Sequence, residues 1–212
     1  MPYESLDHLT PAVRAVVDRI GRAAAVPTVR CAGPEAAAEL VGELLAAGLT
    51  AFEFTATTPG WEELVTEWTQ RAPDALIGLG TVTSPAVAER ALAAGAHYLV
   101  SPFQVPEVRP VVDEADRLLV EGGHTPSELR VAAARGIAKL FPAHVGGLPY
   151  LKSLRSVLPG ARIMATGGVT VADTPTWLAA GAHSVSIGGD IAGNAARLRA
   201  ALDERRAAAP TA

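Results

Sequence analysis

The chain has a single cysteine, Cys31, which excludes an intrachain disulfide framework and a multi-cysteine metal site. It also lacks any apolar run approaching the roughly 18 residues of a membrane span. Residues 1–22 carry Glu4, Asp7, Arg14, Asp18 and Arg19 among their apolar positions. They do not read as a signal peptide, so the cytoplasm is the expected compartment and no membrane partner is expected. Positive charge forms no stripe: 18 Lys and Arg stand against 22 Asp and Glu, intermixed, for a net charge of −4. That pattern argues against a nucleic-acid partner, and an anionic metabolite would have to be held by local groups. His97, His144 and His183 have no His-x-x-x-His spacing or carboxylate triad beside them, so no metal is expected.

What the chain does have is alternation. Strand-like apolar runs fall at residues 26–29, 51–55, 75–79, 98–100, 118–120, 137–140, 162–165 and 184–187, their starts 19 to 25 residues apart. Each gap holds one helix and two short loops, as a parallel crossover requires. Gly33-Pro34 opens a helix over 35–47, Thr83-Ser84-Pro85 opens one over 86–94, and Thr125-Pro126-Ser127-Glu128 is a capping box. Gly48, Gly95, Gly136 and Gly181 stand where helices should close. Ala-Ala-Gly recurs before the second, fourth and eighth strands. Eight such units predict a single-domain (β/α)8 TIM barrel over residues 1–212, with an N-terminal helix around 9–22 and a tail that frays after Arg206. A doubly wound open sheet is the competing arrangement. Trp61, Trp68 and Trp177 fall in helices and read as packing or subunit contacts.

Two of the strands carry a charge in their interior. Barrel strands are buried on both faces, so Glu53 in Phe52-Glu53-Phe54 and Lys139 in Ile137-Ala138-Lys139-Leu140 each need a reason. Period-two alternation sends Glu53 into the barrel if the phenylalanines pack under the helices. Pro142 places Lys139 near the C-terminal end of its strand, the end where barrel enzymes keep their sites. Taken singly, Lys139 reads as a strand-end lysine reaching for solvent and Glu53 as half of a buried salt bridge. Together they suggest an amine nucleophile with a proton-transferring carboxylate.

These residues belong to longer matches. Ala138-Lys139-Leu140-Phe141-Pro142-Ala143, Phe52-Glu53-Phe54-Thr55, Gly78-Leu79-Gly80-Thr81-Val82, Ser101-Pro102, Thr166-Gly167-Gly168 and Ile187-Gly188-Gly189 follow one another in the order of a known family. Over nearly its full length the chain resembles the 2-keto-3-deoxy-6-phosphogluconate / 4-hydroxy-2-oxoglutarate aldolases. The resemblance implies a class I aldolase that joins or cleaves pyruvate and an aldehyde within a 2-keto-3-deoxy or 4-hydroxy-2-oxo acid. Lys139 would be the Schiff-base lysine and Glu53 the proton shuttle. Arg30, Thr81, Pro102, Phe141, Thr166, Gly167, Gly168, Gly188 and Gly189 would surround the substrate. Neither metal nor organic cofactor is implied, and a homotrimer is.

Three positions depart from the family's pattern. Thr57 stands where an arginine usually binds the keto-acid carboxylate, Glu121-Gly122 replaces Pro-Gly after the fifth strand, and Asp190 replaces a serine after the second glycine pair. Read together, they predict an unphosphorylated or less anionic acceptor, and Glu121 and His124, placed at the barrel mouth, are further candidates to act on substrate. The alternatives are a lysine-dependent enzyme with a different donor or acceptor, and a non-catalytic ligand-binding barrel. A thiolate role for Cys31 lacks a histidine partner, which favours a small packing residue.

Overall fold

The computed structural model describes residues 5–208; Glu4 and the last four residues of the tail lie outside them. Among these residues the strands are β1 (Ala25–Val29), β2 (Ala51–Thr55), β3 (Leu76–Gly80), β4 (Tyr98–Val100), β5 (Leu118–Gly123), β6 (Ala138–Leu140), β7 (Ile163–Thr166) and β8 (Ser184–Ile187). A leading helix α1 (Pro11–Ala23) precedes them. Each strand is followed by a helix: α2 (Pro34–Ala46), α3 (Trp61–Arg71), α4 (Pro85–Ala93), α5 (Arg109–Glu114), α6 (Pro126–Ala133), α7 (Gly147–Val157), α8 (Thr174–Ala179) and α9 (Ala195–Ala208). All neighbouring strands are parallel and β8 pairs back onto β1, so the sheet closes in chain order and the open-sheet alternative falls.

Side-chain alternation sorts the core into two layers. Phe52, Phe54, Ile77, Leu79, Leu99, Leu119, Leu140 and Val185 point outward and pack with the apolar faces of the helices. Val26, Ala51, Leu76, Tyr98, Leu118, Ile137 and Met164 point inward. Val17 and Ile20 of α1 join this inner set, each fully buried, so α1 stoppers the N-terminal end of the barrel. The Thr10 side chain caps α1 by accepting from the Val13 N–H, and Pro11 occupies its first position. The inward charged side chains, Glu53 and Lys139, line the cavity at the opposite end.

Local signals place the helices within a residue or two of expectation. The capping box at Thr125 and Glu128 is formed in both directions. Gly48, Gly95, Gly136 and Gly181 all adopt positive φ, from 74° to 124°. Trp61, Trp68 and Trp177 are buried in α3 and α8, as packing residues. The tail differs: α9 continues through Ala208, beyond Arg206. Strand β5 differs more, running three residues past Val120 to Gly123, with consequences for Glu121.

Candidate active site

A cavity of about 570 Å³ opens at the C-terminal ends of the strands. Arg30, Glu53, Thr81, Pro102, Lys139 and Phe141 line it together with Thr166, Gly167, Gly168, Gly188 and Gly189, so all eleven residues singled out in the sequence meet in one place. Thr28, Val169, Thr170 and Ser186 also line it and were missed. Strand alternation carried the signal for Thr28 and Ser186, which share the inward phase of Val26 and Ser184.

Glu53 and Lys139 project into the cavity from β2 and β6 and are 2% and 6% exposed. Burial raises the Glu53 carboxyl above the usual range, opposed by the Lys139 charge, a hydrogen bond from Thr28 and the Arg30 charge. Burial lowers Lys139, opposed by Glu53 and helped by Arg30. Both shifts favour the neutral forms, so an amine with a free lone pair is more accessible here than in water. The Glu53 Oε1 accepts from Thr28 Oγ1 at 3.2 Å, while Oε2 has no partner among the described residues. Thr166 Oγ1 is also buried and unpartnered. Unsatisfied buried polar atoms on a cavity wall are unusual in a finished core and are natural contacts for a ligand.

The cations of the cavity lining are Arg30 and Lys139; its anions are Glu53 and Asp190. Arg30 reaches over from the end of β1 and donates to Thr81 Oγ1 at 3.3 Å. Thr81 holds φ at 63°, a left-handed conformation that costs a β-branched residue energy. At the far side, Gly167 and Gly168 have φ of 88° and 73°, and a Cβ on Gly168 would come within 2.6 Å of His144. A Cβ on Gly189 would meet nothing within 4 Å, so that turn borders open space.

A family model described as KDPG and KHG aldolase matches residues 16–204. A probable 2-dehydro-3-deoxy-6-phosphogalactonate aldolase of Rhizobium meliloti is 35% identical over 162 residues, 74% of this chain and 76% of that protein. A 2-dehydro-3-deoxy-phosphogluconate aldolase of Zymomonas mobilis is 31% identical over 76% of this chain and 79% of its own length. The structure of KDPG aldolase from Legionella pneumophila, with pyruvate captured as a covalent carbinolamine intermediate, superposes with a TM-score of 0.74 at 27% identity. That match covers 92% of this chain and 97% of the other. The chain belongs to the KDPG and KHG aldolase family. It is an aldolase, a carbon–carbon lyase, on a closed (β/α)8 barrel.

Within this aldolase, several residues lie elsewhere than the sequence suggested. Glu121 is inside β5 and shares the outward phase of Leu119, so it points under the helices, 1% exposed, and not into the mouth. It accepts from Arg109 at 2.5 Å, Arg135 at 3.1 Å and the Val105 N–H at 3.1 Å. His124 lies outside the cavity lining and stacks on Tyr150, ring centroids 4.9 Å apart. Thr57 is exposed, outside the lining, and bonded to Thr55. Asp190 does line the cavity, but its carboxylate accepts from the Val171 N–H at 3.0 and 3.3 Å. Burial raises the Cys31 thiol, which favours the protonated form. Ring nitrogen Nδ1 of His97 accepts from the Ile77 N–H. Among the described residues no helix is long and apolar enough to cross a membrane.

Proposed function

We propose that the chain is a class I aldolase that cleaves a 2-keto-3-deoxy or 4-hydroxy-2-oxo acid into pyruvate and an aldehyde, with Lys139 as nucleophile and Glu53 as proton shuttle. The observation that carries this reading is the burial of one amine and one carboxyl on facing strands of a single cavity, the amine shifted toward its neutral, nucleophilic form and the carboxyl raised toward the range of a proton-transferring group. The Lys139 amine adds to the keto carbon, and loss of water from the carbinolamine gives a protonated imine. Glu53 takes the proton of the C4 hydroxyl as the C3–C4 bond breaks; the aldehyde leaves and the electron pair enters the enamine. Glu53 then returns the proton to C3, and one water hydrolyses the imine to release pyruvate. Arg30 balances the keto-acid carboxylate, a role left to it because Thr57 faces away. Phe141, with Lys139 Nζ 5.3 Å from its ring centroid, and Pro102 give the reacting carbons apolar walls.

The turns at Gly167-Gly168 and Gly188-Gly189 suit a phosphate approached by backbone N–H groups, and several relatives are named for phosphorylated sugar acids. Of the three premises for an unphosphorylated acceptor, Glu121 is neutralised on the wrong side of β5 and Thr57 lies outside the cavity. Asp190 remains as the one observation favouring that second reading, and its charge is shared with the Val171 N–H. The phosphorylated acid is therefore the better-supported substrate. A trimer of such barrels, acting in the cytoplasm on small molecules alone, completes the reading, each chain being one catalytic unit.

The test is pyruvate release from the phosphorylated acids, their unphosphorylated counterparts and 4-hydroxy-2-oxoglutarate. Release from at least one, abolished in Lys139→Met and slowed about 10²–10⁴-fold in Glu53→Gln, is expected. An enzyme that releases pyruvate from none of them overturns the assignment.

A further inference from the structure

One polar feature of the cavity is unused by that chemistry: two hydroxyls stand in line behind Glu53. Thr28 Oγ1 lies 3.2 Å from Glu53 Oε1 and 2.8 Å from Ser186 Oγ. Thr28 and Ser186 are 9% and 2% exposed, and their strands are neighbours, with Val26 opposite Ser186 and Thr28 opposite Glu53. A threonine hydroxyl has one proton. With that proton given to the Glu53 carboxylate, the Thr28 oxygen can only accept from Ser186, which fixes the direction of the whole line. On its other side the carboxylate abuts Gly80, where a Cβ would fall 2.8 Å from Oε1. Oε1 is therefore anchored and Oε2 is the oxygen left for proton transfer.

We propose that Thr28, backed by Ser186, is a positioning residue that holds Glu53 ionised, with Oε2 free to take the substrate's proton. The inference rests on the Lys139–Glu53 reading above and extends it to two residues with no role in it. An apolar side chain at position 28 would leave a buried carboxylate with both oxygens unpaired, and burial alone favours its neutral form. The other groups acting on Glu53 are Lys139 of β6 and Arg30 beyond β1, which favour the charged form. The neutral phenol of Tyr98 on β4 lies below and donates to the Phe52 carbonyl, not to Glu53. Thr28 is thus the neutral donor on which the ionised state depends, and hydrogen bonds arranged in series reinforce one another.

The experiment is the pH dependence of deuterium exchange into pyruvate, measured for wild type, Thr28→Val, Thr28→Ser and Ser186→Ala, with borohydride trapping of pyruvate in parallel. Loss of the Thr28 donor raises the Glu53 pKa, so the acid limb of exchange should move up by about one pH unit in Thr28→Val, the size of one hydrogen bond to a charged group. Thr28→Ser should restore the limb, Ser186→Ala should move it up by less, and trapping at high pH should persist in all. A uniform loss of exchange at every pH, or an unmoved limb in folded Thr28→Val, overturns the proposal. Should Thr28→Val fail to fold, the Ser186→Ala limb decides: unmoved, it overturns the proposal. A wild type that neither traps nor exchanges sinks the Lys139–Glu53 reading, and this proposal with it; trapping with no limb shift sinks this proposal alone.

Discussion

Gly80 makes room for Glu53: a Cβ there would stand 2.8 Å from the carboxylate Oε1 and 3.1 Å from its Cδ. No positive φ demands glycine at this position, so the requirement is space for one functional group. Gly80→Ala should push the carboxylate off its place against Thr28 and slow pyruvate deuterium exchange by tenfold or more. Its stability cost should stay within the ~1–3 kcal/mol typical of overpacking. Exchange at the wild-type rate would show that the position of Glu53 is not tightly set.

Glu53→Gln keeps the shape and removes the proton-accepting group. Exchange should fall about 10²–10⁴-fold, the usual range for general acid–base catalysis. Imine formation should survive more fully, so trapping and exchange should separate in this variant. Wild-type exchange would remove Glu53 from the mechanism.

Asp190 distinguishes the two acceptors. Its carboxylate ties the end of β8 to the loop after β7 through the Val171 N–H, so Asp190→Ser should loosen the distal turns. KM for a phosphorylated acid should rise several-fold while pyruvate trapping is unchanged. A variant that becomes faster on the phosphate ester would mean that Asp190 repels it, and the unphosphorylated acceptor would be the natural one.

Glu121 should matter for stability. Burial raises its carboxyl, but the hydrogen bond and charge of Arg109, the Val105 N–H and Arg135 outweigh that and hold it below the ordinary value. Glu121→Ala strands a largely buried Arg109 and should cost about 3 kcal/mol by chemical denaturation. Because the folded pKa is depressed, the contribution is complete above the unfolded value of ~4.3 and is lost as pH falls through the folded one. Glu121→Gln should therefore lose less stability than wild type on acidification below that value. An unchanged stability in both variants would contradict the buried ion pair.

The barrel was legible because its signals are local and repeated: eight apolar runs, helix-closing glycines and proline-marked helix starts. Glu53 was legible because the phenylalanines on either side fix its phase, and Lys139 because Pro142 marks the strand's end. Glu121 was misplaced because Glu121-Gly122-Gly123 looks like a turn. The glycines instead continue β5 where backbone passes close by: a Cβ on Gly122 would be 2.1 Å from the Pro102 carbonyl oxygen. Only the three-dimensional path of the loop after β4 reveals that. Thr28 and Ser186 were open to the same period-two reasoning as Glu53, but a hydroxyl in a strand draws no notice until its neighbour is known.

The central claim is covalent attachment at Lys139, and the sequence offers a built-in control. Its two lysines are Lys139, buried on β6, and Lys152, exposed on α7. Borohydride reduction in the presence of pyruvate, followed by intact mass and peptide mapping, should give one adduct, on the peptide containing Lys139, and none in folded Lys139→Met. An adduct on Lys152, or one that persists in Lys139→Met, would contradict the account.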